Sequence, residues 1–378
     1  MSEKKIFPVN KDRLVKEFAE LVEIDSVSFR ERKMADVLIQ KLEELGFSVR
    51  EDDAAKKIGS DAGNLYAYRK GTLEGEPLLF SSHMDTVEPG SGKHAVLHDD
   101  GTITSEGDTV LGADDVAGLA SILEAVRTLQ ENDIPHRSLE ILFTVAEESY
   151  GKGSSVFDYD TISARQAYVL DISGPVGRAS LQEPTLISFE ISVKGKAAHA
   201  GFAPEEGVHA IAAAAAAITK IRQGRLDDET RVNIGKIEGG QATNIVPDLV
   251  TVKGEIRSYR HESALAQMEE IRRIFEETAK SFGAEAKVRD EVILQAYRVE
   301  EDEAVVQRFL RVCESLGLDG RLTKTFGGSD NNSFLRHDIR GIVLACGMNQ
   351  VHSTIEYTSV EELALCASIV AGLMAEKS

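Results

Sequence analysis

Acids and histidines recur in this sequence where apolar runs stop. His83 and Asp85 close the run PLLFSSHMD two residues apart, a spacing that points both side chains to the same side of an extended strand. An imidazole and a carboxylate converging there suit a divalent metal, although an isolated H-x-D is also an ordinary polar pair. Asp114 and Asp115 lie in GADDVAG, a glycine-bounded turn opening a helix. Such acids can cap the helix or answer its dipole, and one of them turned away from it can bridge two cations. Glu147 and Glu148 follow LEILFTVA directly, and acids that end a buried strand are costly unless paired or bound to metal. Neighbouring side chains diverge, so one of these glutamates is expected to bind metal while the other takes a proton from water. Asp171 ends the run AYVLDI in the same manner, and His352 follows GIVLAC within GMNQVHSTIEY. Each motif alone has a bland reading; acids gathered on one edge point to a site. His94, His98, His136, His209, His261 and His337 stand in polar or helical settings and are given no chemical role.

The elements that must position these residues follow an α/β pattern. Asn10 caps a helix through about Ile24, and a second helix runs from about Arg30 to Leu45, where Gly46 stops it. Strands are expected at FSVRE, NLYAYR and PLLFSSHMD. SLEILFTVAEE and QAYVLDI have the continuous apolar character of strands buried on both faces. A mostly parallel sheet with helices on both faces results, and open sheets of this kind bind ligands at their carboxyl edge. After Glu183 the order becomes β-α-β-β-α-β: LISFEISVKG, an alanine-rich helix, RVNIGKIEGG, LVTVKGEIRSY, a helix to Gly283, and EAKVRDEVIL. That order is ferredoxin-like. Residues 184–294 are therefore read as an inserted α+β domain for dimerisation and as a lid, and residues 1–183 and 295–378 as the catalytic domain.

Composition narrows the partners. A chain of 378 residues suits two domains, and its 42% hydrophobic content can build sizeable cores. The net charge of −20 argues against nucleic acid or an anionic membrane as partner. No signal-like or membrane-spanning run is present, so a cytoplasmic location is expected. Cys313, Cys346 and Cys366 stand among apolar neighbours, as buried thiols do in a reducing compartment. The early strand-to-helix turns carry no glycine loop of a nucleotide-binding type.

In order, HMDT, GADD-x-AG, AEE, the VLD of AYVLD and the late His352 resemble the metal-site motifs of a zinc exopeptidase family. That family includes peptidase T, aminoacylases and glutamate carboxypeptidases. GGQATNIVPD and the HAG at His199 extend the likeness over nearly the whole chain. The resemblance implies two zinc ions, with cobalt or manganese also suited to such ligands. His83 and Asp171 would hold one ion, Glu148 and His352 the other, and Asp114 would bridge them, followed by a cis peptide to Asp115. Asp85 would accept the far N–H of His83 and fix its ring. Glu147 would be the general base toward a shared water and later protonate the leaving amine.

The resemblance also implies roles in substrate binding. His199 and Asn244 resemble residues that polarise the scissile carbonyl and contact substrate, in many relatives from the partner subunit. Arg257 resembles a carboxylate-binding arginine. GGSDNN, from Gly327 to Asn332, offers Gly328 and Ser329 as a glycine turn whose N–H groups could hold a substrate carboxylate. The motifs HMDT-V, AEES and the H-x-x-x-E spacing of His352 and Glu356 look closest to the peptidase T-like branch, which includes tripeptide aminopeptidases. The chain departs from that branch in lacking its longer loops, which bear on substrate length and on binding a free amine. The expected activity is hydrolysis of a terminal amide of small peptides by a homodimer paired through the insert. The alternatives are a carboxypeptidase or N-acyl-amino-acid deacylase of the same family, and a non-catalytic binding protein on this fold.

Overall fold

The computed structural model describes residues 7–376 and divides into two compact units. The first takes the chain to Leu181, then Arg298–Lys324 and the residues from Ser329 onward. The second is Gln182–Tyr297 together with Thr325–Gly328. The insert thus begins at Gln182 and ends at Tyr297, against the expected 184 and 294, and gains a distant short segment. Phe326 accounts for that segment: the Arg231 guanidinium lies 3.4 Å from its ring centroid, and the Tyr259 ring packs against it, tilted by 43°, at 4.2 Å between centroids.

The first unit is organised by an eight-stranded sheet. Its strands run in the spatial order Ser48–Glu51, Leu65–Arg69, Leu139–Thr144, Leu78–His83, Gln166–Ile172, Arg340–Ala345, Arg178–Ser180 and Arg321–Thr323. The four in the middle are mutually parallel. Leu78–His83 and Leu139–Thr144 are buried at every residue, which explains their continuous apolar runs: neither face meets water. Glu140 is the one acid within them, and it accepts the N–H groups of Ser163 and Ala164 at 3.0 Å each. Helix Ala113–Glu131 packs on Leu78–His83 and against the last helix, Val360–Ala375. Its buried residues run almost unbroken from Ala113 to Leu129, as a helix enclosed on several sides requires.

At the start of the chain, helix Lys11–Val22 is capped by Asn10, whose side chain accepts the Arg13 N–H at 3.1 Å. Helix Arg32–Glu44 follows, and Gly46 takes a φ of 80° just beyond it. All three cysteines are buried free thiols. No helix among the described residues is long and apolar enough to cross a membrane.

The second unit carries an antiparallel sheet in the order Gly224–Arg225, Thr230–Gly239, Leu249–Ser258, Thr185–Lys194, Glu285–Leu294. Apart from the two-residue first strand, this is the ferredoxin-like arrangement. Strand Thr185–Lys194 alternates Ile187, Phe189, Ile191 and Val193 into the core, the period of a sheet covered on one face. Helix Ala210–Ile218 sets Ala210, Ala213, Ala214 and Ala217 into that core, beside Ala264, Met268, Ile271 and Phe275 of helix His261–Ser281. Small side chains at helical spacing let the first helix lie close to the sheet, which gives the alanine run a packing role.

Candidate active site

The carboxyl ends of the parallel strands bring the predicted acids and histidines together. His83 is the last residue of its strand, and its side chain is 1% exposed. Its Nε2 lies 3.0 Å from Asp114 Oδ1 and 3.9 Å from Asp171 Oδ1. His352 Nε2 lies 3.3 Å from the other Asp114 oxygen and 2.9 Å from Glu148 Oε1. Two triads result, His83–Asp114–Asp171 and Asp114–Glu148–His352, and within each the ligand atoms lie within 4.8 Å of one another. Asp114 belongs to both and offers one oxygen to each histidine.

Local backbone geometry makes this convergence possible. The Asp114–Asp115 peptide is cis, and Gly112, with φ 75°, starts the turn in a conformation suited to glycine. The adjacent acids then face different tasks. Asp115 is directed back to the strand end, where it accepts the Ser82 hydroxyl at 2.5 Å and the His83 N–H at 3.2 Å. Its Oδ1 accepts the Gly118 N–H at 3.2 Å, and a Cβ on Gly118 would come within 2.5 Å of that oxygen. The second glycine of GADDVAG therefore makes room for a carboxyl group. Asp114 alone is left for the two triads.

Asp85 meets His83 through both its backbone and its side chain. His83 Nδ1 is nearest to the backbone carbonyl oxygen of Asp85, at 2.9 Å, while the Asp85 carboxylate is 3.5 Å away. A hydrogen on Nδ1 directed at that carbonyl leaves Nε2 with its lone pair toward the cluster. The Asp85 carboxylate also accepts the N–H groups of Glu147 and Glu148, at 2.9 and 3.1 Å, and the Ser28 hydroxyl at 2.6 Å. Sequence reasoning missed its partner, Glu31. That residue is fully buried and accepts the N–H groups of Phe29 and Ala146, at 2.8 and 2.9 Å, and the Ser60 hydroxyl at 2.8 Å. Three successive amides, from Ala146 to Glu148, are thus held by two buried carboxylates, and Ala146 takes a φ of 50°. Glu31 precedes a helix, so its sequence setting suggests only a cap; nothing local signals a contact with residue 146.

The electrostatics show how much charge the cluster contains. Burial, with Asp330, Glu148 and Asp85 nearby, pushes the Glu147 carboxyl well above the ordinary range, against the pull of His83. Burial likewise raises Asp171 and Glu148, and takes Asp115 up to about 8 with Asp114 adding to it. Burial works against ionisation of Asp114 as well, but hydrogen bonds from His352 and His83 outweigh it and hold the carboxyl low. Those to Asp114 and Glu148 push His352 up to about 10. Crowded carboxylates of this kind call for cationic counter-charge. Nitrogen and oxygen donors in two overlapping triads with a shared carboxylate fit a pair of divalent ions.

The predicted substrate residues fall differently. His199, Asn244, Arg257 and Gly328 belong to the second unit, and Ser329 to the first. His199 and Asn244 are exposed and share a backbone link: His199 bridges Ile245, and the Ala200 N–H donates to the Asn244 carbonyl at 3.0 Å. His199 Nδ1 accepts the N–H groups of Gly201 and Phe202, at 3.1 and 3.2 Å, so in the neutral ring Nε2 carries the hydrogen. Arg257 is engaged within its own unit, by Glu255 at 2.8 Å and the Phe326 carbonyl at 2.7 Å. At GGSDNN, Ser329 is buried and its N–H donates to Asn332 Oδ1 at 3.1 Å, while the Asn331 N–H is taken by Ser329 Oγ at 3.2 Å. The expected row of free N–H groups at this turn is therefore largely spent on the turn itself.

Comparison with known proteins finds similarity to peptidases. Residues 182–282 match the model of a peptidase dimerisation domain, and residues 64–220 match that of peptidase family M28. The chain is 40% identical to the uncharacterised protein YqjE of Bacillus subtilis, covering 97% of this chain and 99% of that one. Among solved structures, a tripeptidase from Staphylococcus aureus superposes with a TM-score of 0.94 at 37% identity, covering 97% of this chain and 98% of its own. Aminopeptidase PepT from Bacillus cereus superposes with a TM-score of 0.90 at 42% identity, with the same coverage.

Proposed function

We propose a reaction for this chain from one premise: it belongs to the peptidase T-like branch of the metallopeptidase family that includes aminoacylases and glutamate carboxypeptidases. It is a metallopeptidase hydrolase, and the proposed activity is removal of the N-terminal residue from small peptides, tripeptides above all. The observation that carries this reading is the pair of triads sharing Asp114, with Glu147 beside Glu148 on the same turn.

His83 and Asp171 would hold one divalent ion, Glu148 and His352 the second, and Asp114 would serve both. Zinc is the first expectation for such ligands. Bound there, the pair would polarise the scissile carbonyl and acidify water. The Glu147 carboxylate takes the proton of the attacking water and returns it to the leaving amine. Asp85 and Glu31 keep that carboxylate in place by fixing the amides of its turn. His199, with hydrogen on Nε2, is suited to donate to a substrate oxygen, and Asn244 beside it to contact the peptide. Arg257 and the Gly328–Ser329 turn remain candidates for a substrate carboxylate only if they exchange their present partners.

The names of the Staphylococcus aureus and Bacillus cereus neighbours, a tripeptidase and an aminopeptidase, support the choice of bond. The match to a peptidase dimerisation domain supports a homodimer formed through the insert. A cytoplasmic location goes with that reading. Mass spectrometry of products from free and N-acetylated di- and tripeptides, with metal-loaded protein, tests the bond. An aminopeptidase leaves the acetylated forms intact. Their cleavage would reassign the chain to the carboxypeptidases or deacylases, and inertness toward the whole panel would favour a binding protein. Sedimentation showing only monomer at micromolar concentration would refute the dimer.

A further inference from the structure

Glu356 belongs to neither triad, yet it joins the two loops that carry the shared aspartate and the late histidine. It follows His352 on the same loop, which Asn349 and Tyr357 close by exchanging two backbone hydrogen bonds of 3.0 Å. Its side chain is buried, with the residue 1% exposed. Oε2 accepts the N–H of Gly112 at 2.8 Å, and Oε1 that of Asp114 at 3.0 Å. Both oxygens of one carboxylate are thus spent on the backbone of the turn containing the cis peptide. The turn is also filled from another side: a Cβ on Gly112 would stand 3.0 Å from Lys93 Cε.

A carboxylate gripping two amides fixes distance and orientation together, whereas a single hydrogen bond leaves a swivel. We propose that Glu356 is a positioning residue for the metal pair. It sets the Asp114 turn against the His352 loop at the separation that lets one aspartate serve both triads. The inference rests on the two-metal reading above and extends it to a residue outside the ligand set. An amide at this position keeps the size but presents one acceptor and one N–H₂ to two N–H donors, so it can satisfy only one of them.

The test is metal binding by the full-length, metal-free protein, read by calorimetry with Zn²⁺ and by the visible spectrum with Co²⁺. Parent protein should take up two ions. In Glu356→Gln at least one of them should bind about 10- to 100-fold more weakly, with an altered Co²⁺ spectrum and faster amide exchange at Gly112 and Asp114. Glu147→Gln, which leaves every ligand in place, should bind both ions as the parent does. Unchanged affinity for both ions in Glu356→Gln would overturn the proposal, even if the melting temperature fell, because that result marks a purely structural residue. If Glu356→Gln does not fold, Glu356→Asp decides by the same two outcomes. If neither folds, Glu356 is a folding element and the proposal fails. Parent protein that takes up no ions would remove the two-metal reading itself, a result distinct from loss in the variant alone.

Discussion

The two sheets of this protein treat polar groups in opposite ways. In the second unit, strand Thr185–Lys194 buries Ile187, Phe189, Ile191 and Val193, and the helices above it add alanines, Met268 and Phe275. The polar candidates there, His199 and Asn244, stand exposed on connecting segments. In the first unit, apolar strands lead into a carboxyl edge where His83, Asp85, Asp114 and Asp115 are all buried. The apolar core of the second unit gains from burial directly. The charged edge of the first gains only if every group finds a partner, which costs stability and confers rigidity. One region is built to fold, and the other to hold charge where water would otherwise take it.

The sharpest way to break this contrast is Glu147→Gln. It should lower kcat by about 10²- to 10⁴-fold while metal content stays at the parent level; near-normal turnover would remove Glu147 from the role of base. Next in size is the response to metal. Ions at 100 times their Kd should stabilise the protein by about 2.7 kcal/mol per site, read as a higher melting temperature than in chelator. A protein indifferent to chelator would mean that the buried acids are satisfied without cations.

Smaller effects sharpen the comparison. Glu31→Gln should destabilise the metal-free protein by about 1–3 kcal/mol, because one of the three donors converging on this buried side chain loses its acceptor. Its pH dependence carries a definite sign. Burial, with the Asp85 charge adding, pushes Glu31 up to about 7. A carboxyl raised on folding contributes stability that is full below its unfolded value, about 4.3, and is lost as pH rises through 7. The variant should therefore show a flatter stability curve between those values, and a parent-like slope would assign the titration elsewhere. Smallest in stability is His199→Ala, which should shift unfolding by no more than about 0.5 kcal/mol while reducing turnover. Loss of folding there would make His199 a structural residue.

Much of the first unit was legible because strand ends announce themselves. Leu78–His83, Leu139–Thr144 and Gln166–Ile172 are each an apolar run that stops at or shortly before a charged residue, and parallel strands bring such stops to one edge. The insert was equally visible, since its strands alternate with a period of two and its long helix repeats at the helical period. Other features left no mark in the local pattern. Glu31 sits before a helix yet grips Ala146, and Glu356 grips Gly112 and Asp114, contacts that span more than a hundred residues of chain. Arg257 has the sequence setting of a ligand-binding arginine, and only the folded unit shows it engaged by Glu255 and Phe326.

The sequence by itself determined the elements, the inserted domain and the ordered set of acids and histidines, because periodicity and residue type act over a few neighbours. Residue type and spacing leave open which of two adjacent acids faces the cluster; the family resemblance points to Asp114, and the tertiary structure supplies the reason. Asp115 is claimed by Ser82, His83 and Gly118, and so Asp114 is the carboxylate with an oxygen for each histidine. It also decided that Asp85 and Glu31 hold a backbone turn. Such choices depend on which donors arrive from distant parts of the chain, and a buried carboxylate goes where those donors are.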